Sequence, residues 1–205
     1  VSYCWLSPEH PDPEAMQMRM VIDTLQHEKS KYQDAGFEDM AVFWDWASLW
    51  QKDESGTRTE EEAAGFKRAL HETMDLWYPH FGITVYVIHA VPGVEMDRTY
   101  DARGWTTFEF LCACICKPTW STVDWERIVI LGEDNVKRVW TVAPSGFKRL
   151  IATKSFTNGA DAVAVAELYE KVSTAVLAGL QRTDMESLPL RLSDAASYAE
   201  ALAMC

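Results

Sequence analysis

This sequence is short of positive charge. Its 205 residues hold 19 Lys and Arg against 31 Asp and Glu, a net charge of −12 and a pI near 4.8. A nucleic-acid or anionic-membrane partner needs a basic surface, so this balance argues against both. No apolar run approaches the ~20 residues of a membrane span. The dinucleotide fingerprint G-x-G-x-x-G, the P-loop and the G-x-S-x-G elbow are all missing, which removes the common phosphate cradles and serine nucleophile turns. There is no internal repeat and no low-complexity tract. No signal peptide opens the chain. Val1 to Leu6 reads instead as the middle of a strand. The true N-terminus is therefore expected to be missing, with any targeting segment it carried. An intracellular, cytoplasmic location is the default expectation, with the organelle open. Cysteine is odd in number, at five. Cys112, Cys114 and Cys116 alternate along one predicted helix and cannot all share a face. That is poor geometry for a metal site or a disulfide framework, and reduced, buried thiols of an intracellular protein are expected.

Apolar and aromatic residues are plentiful. Hydrophobic residues make up 48% and aromatics 12%, with nine Trp, enough for a real core in one generous domain or one domain with an appendage. The pattern alternates strands and helices. Val1 to Leu6 is the first expected strand. Asp12-Pro13 signals a helix start, with Asp12 as N-cap and Pro13 at the first helical position. Met18, Val21, Ile22 and Leu25 then follow at helical spacing, and Gly36 marks the exit. Ala41 to Trp46 is the second expected strand. Thr59-x-x-Glu62 is a capping box opening a helix with Phe66, Leu70, Met74 and Trp77 on one face, ending before Pro79. Ile83 to Ile88 and Arg127 to Leu131 are the third and fourth strands, and Val139 to Val142 is a short fifth. Ser145 starts a short helix with Phe147, Leu150 and Ile151 inward. Asn158 to Asp161 leads into a long helix whose face carries Val165, Leu168, Tyr169, Val172, Val176 and Leu180. A hinge at Ser187 to Pro189 precedes a last helix, Ser193 to Met204. This order implies parallel β-α-β units: an open, mainly parallel sheet of four to five strands with helices on both faces, plus C-terminal helices. The expected division is an α/β domain at residues 1–143 and a helical extension at 144–205 packed on it. In such sheets the ligand crevice lies at the carboxyl ends of the strands. Leu6 to Pro11, Asp45 to Gln51 and His89 to Trp105 should meet around that rim.

The stretch with most chemical promise is Arg103-Gly104-Trp105-Thr106-Thr107-Phe108-Glu109. It reads as a loop that becomes a buried helix at Trp105, with Glu109 in the first or second turn. Trp105 and Glu109 are one turn apart on the same side. A carboxylate near a helix start is favoured by the helix dipole. Half-buried beside Trp105 and Arg103, Glu109 would be a chemically useful acid. The plainer alternative is an ion pair with Arg103 and a tie to the helix start. Asp45, at a strand end, could anchor a ligand hydroxyl or accept loop N–H groups. Ser48 has no neighbouring His in sequence to make it a nucleophile. His71 to Asp75 departs from the zinc-helix pattern, with Asp where the second His belongs, so no metal is expected. His10 and His89 lie on the predicted rim, and a solvated or core histidine is the plainer reading of each.

Several of these segments together resemble the heterokaryon-incompatibility (HET) domain, a distant relative of Toll/interleukin-1 receptor (TIR) domains. Ser2-Tyr3-Cys4-Trp5 looks like its opening strand. Phe43 to Gln51 looks like its second strand, with an acidic residue followed by a Gln. Met74 to Tyr78 and Ile83 to Ile88 resemble its helix ending in Tyr and the strand after it. Arg103-Gly104-Trp105-Thr106-x-x-Glu109 is similar to its third motif. The likeness covers about residues 1–116. Leu6, Ser48-Leu49 and Phe108 depart from the family pattern, all on the predicted rim. Further on, Phe156 to Asp161, leading to Leu168-Tyr169, is similar to a segment seen beside such domains in uncharacterised proteins of unicellular algae and other protists.

The resemblance implies a TIR/HET-like signalling-type domain that hydrolyses the nicotinamide–ribose bond of NAD+, with NAD+ as substrate and no cofactor. Glu109 would then stabilise the oxocarbenium-like centre. Trp105 would pack beside sugar or base, Asp45 and Ser48 would line the crevice, and Arg103 and Trp5 would join the substrate contacts. The alternatives are a non-catalytic protein–protein interaction domain and an accessory subunit of a larger assembly. Protein partners or self-association are expected in either case, with a small nucleotide as the candidate ligand.

Overall fold

A computed structural model describes residues 1–7, 9–80, 82–94, 99–115, 128–134, 136, 139, 141–157, 159–178, 199 and 203. It is a mixed α/β structure built on a two-stranded parallel sheet.

The first helix, α1, runs Met16–Asp34. Asp12 caps it, but from four residues before its start. The Asp12 carboxylate accepts the N–H groups of Met16, Gln17 and Met18 at 2.8, 3.1 and 2.8 Å. Pro13 is thus outside the helix, and Ala15 enters it in the left-handed region at φ 51°. The exit is as the sequence predicts, with Gly36 at φ 92°.

The expected second strand differs. Residues 41–44 form no ladder, and Asp45–Ser48 is a helical turn, α2. The Trp44 N–H donates to Ser48 Oγ at 3.0 Å, and Asp45 Oδ1 accepts the Trp46 N–H at 2.7 Å. Local side-chain bonds of this kind divert a backbone from a ladder.

The capping box closes as expected around α3, Glu60–Arg68. The helix then widens to a π-type turn over Ala69–Thr73 and resumes as α4, Met74–Trp77. It stops before Pro79. The side chains of Leu70, His71, Met74 and Asp75 fall outside what is described.

β1, Val85–Ile88, pairs in parallel with β2, Ile128–Leu131, in register Val85 with Ile128 through Ile88 with Leu131. Of the four to five expected strands, these two form a ladder among the described residues. Val1 to Leu6 contributes a single parallel bridge, Ser2 to Val87. Beyond it the chain turns back, with the Leu6 N–H on the Pro11 carbonyl at 2.9 Å. Val139, Thr141 and Val142 carry no ladder; Trp140 lies outside the described residues.

After β1 a 3-10 turn at Tyr100–Ala102 leads to α5, Gly104–Cys114. α6, Pro144–Ile151, and α7, Asp161–Ala178, complete the described fold. Leu180, Ser187 to Pro189, and the last helix apart from Ala199 and Ala203 lie outside it.

Two apolar clusters flank β1, sorted by the two-residue alternation of a strand. Val85 and Val87 join Phe108, Leu111, Phe147, Val165 and Tyr169 from α5, α6 and α7. Ile88 joins Tyr3, Val21 and Trp44 on the α1 side. Phe147 and Tyr169 stack with centroids 3.9 Å apart, and the Tyr169 hydroxyl donates to the Val142 carbonyl at 2.7 Å. Residues 144–178 therefore build the same core as α5. Cys4, Cys112 and Cys114 are buried and form no disulfide among the described residues; Cys116 is outside the described residues. Burial pushes the Cys4 thiol up to about 11. No helix of the described residues is long and apolar enough to cross a membrane.

Candidate functional site: a buried carboxyl ringed by hydroxyls

Gly104 opens α5 because nothing larger fits. A Cβ there would overlap the ring of Phe156, and the Gly104 N–H donates to the Ser155 carbonyl at 2.9 Å. Ser155 in turn donates to the Ala102 carbonyl at 2.8 Å, and Arg103 and Ser155 form a parallel bridge. One residue on, Trp105 Nε1 donates to Asp161 Oδ2 at 3.0 Å. The Arg-Gly-Trp stretch is thus strapped to the Phe156–Asp161 segment, although about fifty residues of sequence separate them.

Glu109, one turn on from Trp105, lies in the interior. The residue is 9% exposed. Ser2 Oγ donates to Glu109 Oε2 at 2.5 Å, and the Tyr78 hydroxyl also bonds the carboxyl. Ser2 Oγ lies 2.5 Å from the Tyr100 hydroxyl as well. A serine hydroxyl has one proton, so if it donates to Glu109 it accepts from Tyr100. The result is a chain from Tyr100 through Ser2 to Glu109, with Tyr78 closing the other side.

Two effects compete over this carboxyl. Burial disfavours its charged form, and the nearby Asp45 charge adds to that. The Ser2 and Tyr78 donors favour ionisation. Burial dominates, and the pKa is pushed up to about 8. At neutral pH Glu109 is therefore mostly protonated. Burial likewise raises Tyr78 and Tyr100 well above the ordinary phenol range, so both remain neutral donors.

The other candidate residues are dispersed. Trp105 is 37% exposed and its indole edge meets Phe108, beside α7 rather than beside Glu109. Arg103 does not pair with Glu109; its guanidinium donates to the Trp5 carbonyl at 3.1 Å. Asp45 Oδ1 takes the Tyr3 hydroxyl at 2.6 Å in addition to the Trp46 N–H. It thus serves loop and core groups. Ser48 Oγ accepts the Trp44 N–H, and Gln51 Nε2 donates to the Trp46 and Leu49 carbonyls at 3.0 Å each.

Trp5 meets Trp46 edge-on with centroids 5.2 Å apart, and His10 also meets Trp46, at 5.1 Å. The rim at the carboxyl ends is thus occupied by aromatic rings. His89, just past β1, has Nδ1 2.7 Å from Glu133 and Nε2 3.2 Å from Asp101. Neither contact has hydrogen-bond alignment. Among the described residues no His, Cys, Asp and Glu cluster could hold a metal ion.

The sequence pointed to Glu109 but missed its partner Ser2 and, behind it, Tyr100. Tyr78 carried a faint signal, as the tyrosine ending the helix before the third strand. Comparison with known proteins finds no matching protein-family model, no matching curated protein and no matching solved structure.

Proposed function

We propose that this chain is a TIR/HET-like signalling-type domain that acts through protein–protein contacts, with Glu109 as a structural carboxyl in its resting form. The observation that carries this reading is the enclosure of Glu109. A carboxylate that stabilises an oxocarbenium centre must be charged and must reach the sugar. Here it is buried, bonded by Ser2 and Tyr78 with Tyr100 behind Ser2, and mostly protonated at neutral pH. Trp5, Trp46 and His10 also pack together where the ligand crevice was expected.

The TIR/HET-like assignment draws support from the order of extended segments. The Val1 nitrogen donates to the Phe43 carbonyl at 2.8 Å, Ser2 bridges to Val87, and β1 pairs with β2. One hydrogen bond joins segment 41–44 to the first residues, one bridge joins those to β1, and the ladder joins β1 to β2. These contacts are compatible with a doubly wound order of second, first, third, fourth, which is part of the proposal.

One observation favours the NAD+-cleaving alternative. A carboxyl raised to about 8 is a common mark of an acid–base group. The deciding experiment follows NAD+ loss and nicotinamide release at high protein concentration, with wild type beside Glu109→Ala and Glu109→Gln. The proposal expects no turnover above background in any of the three. Turnover by wild type that rises through pH 8 and disappears in both variants would overturn it in favour of the hydrolase.

A further inference from the structure

A cavity of about 260 Å³ opens at the amino end of β1, opposite the aromatic-filled rim. It lies between α1, the segment 37–43, and the chain from α4 into β1. Its size suits a small ligand, since an engineered cavity of about 150 Å³ accepts benzene. Its walls are unusually aromatic: Tyr32, Phe37, Phe43, Trp77, Tyr78 and Tyr86 all contribute. Phe43 and Trp77 lie against each other with centroids 4.4 Å apart, forming one wall.

The tyrosine hydroxyls are engaged elsewhere. Tyr86 donates to Glu28 at 2.7 Å, Tyr32 meets Thr84 Oγ1 at 3.4 Å, and Tyr78 bonds Glu109. What these residues offer the cavity is therefore mainly ring surface. The walls keep substantial solvent access, with Phe37 48% and Trp77 37% exposed.

The charge has one sign. Asp39 lines the cavity, and no Lys, Arg or His is among the described lining residues. The Val1 nitrogen, also in the wall, is committed to the Phe43 carbonyl. The chain as a whole carries −12. Aromatic side chains around the cavity, with a carboxylate alongside and no cationic side chain among the described lining residues, favour a weakly hydrated cation by cation–π attraction. They disfavour any anion.

We propose that this cavity is a binding site for a small organic cation of the quaternary-ammonium class, held by the rings of Phe37, Phe43 and Trp77 and steered by Asp39. The site is separate from the Glu109 reading and stands or falls without it. Tyr78 is the one residue common to both, with its ring in the cavity wall and its hydroxyl on the carboxyl.

The test titrates the full chain with choline, and with its uncharged isostere in which a quaternary carbon replaces the nitrogen. Binding is followed by amide chemical-shift changes. Choline should shift residues in 37–43 and 77–86, and the isostere should bind about tenfold more weakly. Asp39→Asn, an exposed substitution that leaves the core untouched, should weaken choline about threefold. Phe37→Ala, also at an exposed position, should weaken it further, and is usable even if Trp77→Ala fails to fold. Equal binding of choline and the isostere would overturn the proposal, because the cavity would then be a neutral apolar site. So would the absence of choline-induced shifts at high millimolar concentration.

Discussion

Phe108 and Glu109 are neighbours in sequence, both withdrawn from water, yet they belong to opposite environments. Phe108 meets the ring of Phe147, which in turn stacks on Tyr169, and there burial is favourable in itself. Glu109 faces Ser2 and Tyr78, where burial is tolerable only because hydroxyls replace water. A helix turns about 100° per residue, so one step along α5 is enough to pass from one environment to the other. The apolar side holds α5, α6 and α7 together. The polar side ties α5 to the first residues of the chain and to the end of α4.

The largest effect is expected on the apolar side. Phe147→Ala should cost about 3–5 kcal/mol, read from the urea midpoint, because Phe147 is fully buried and stacked on Tyr169. A loss under about 1 kcal/mol would mean that this cluster does not carry the fold.

Next is the pH dependence of the polar side. The folded pKa of Glu109 lies above its unfolded value of 4.5, so the folded state binds the extra proton. Relative stability from this group is complete below pH 4.5 and falls as pH rises through about 8. The full swing is on the order of 4 kcal/mol. Glu109→Gln should flatten the stability profile between pH 5 and 9 and raise stability at the alkaline end. An unchanged slope in the variant would place the titrating group elsewhere.

Ser2→Ala should cost about 1–3 kcal/mol, since it leaves buried hydrogen-bonding groups without their partner. It should also push the Glu109 pKa higher still, as a donor to the charged form is lost. Gly104→Ala should cost about 1–3 kcal/mol through overlap with Phe156. The smallest effect is expected far from this comparison, where Thr59→Ala removes one arm of the capping box for about 1 kcal/mol.

Features set by near neighbours in sequence could be read directly. The Thr59/Glu62 box, the turn at Gly36 and the helix holding Glu109 all depend on short spacings and formed accordingly. The reading of residues 41–46 as a strand failed where local signals competed. An apolar run suits a strand, but Ser48 and Asp45 supply side-chain bonds that begin a helical turn. Asp12 shows a milder form of the same problem, since its capping role was legible but its distance from the helix was not. The burial of Glu109's helix was legible, but the groups bonded to its carboxyl were not. Its donors Ser2 and Tyr78 come from remote parts of the chain, and Ser2 looked like an ordinary strand residue. Gly104 has its reason in Phe156, a contact that no local pattern encodes.

The account turns on Glu109 being a sealed, neutral carboxyl at physiological pH. The most direct measurement is a carbon-13 NMR titration of its side-chain carboxyl in the folded chain from pH 4 to 10. The account predicts a single transition with a midpoint near 8. A midpoint near 4.5, the ordinary value for glutamate, would mean that the carboxyl is solvated and charged. The structural role assigned to it here would then be contradicted.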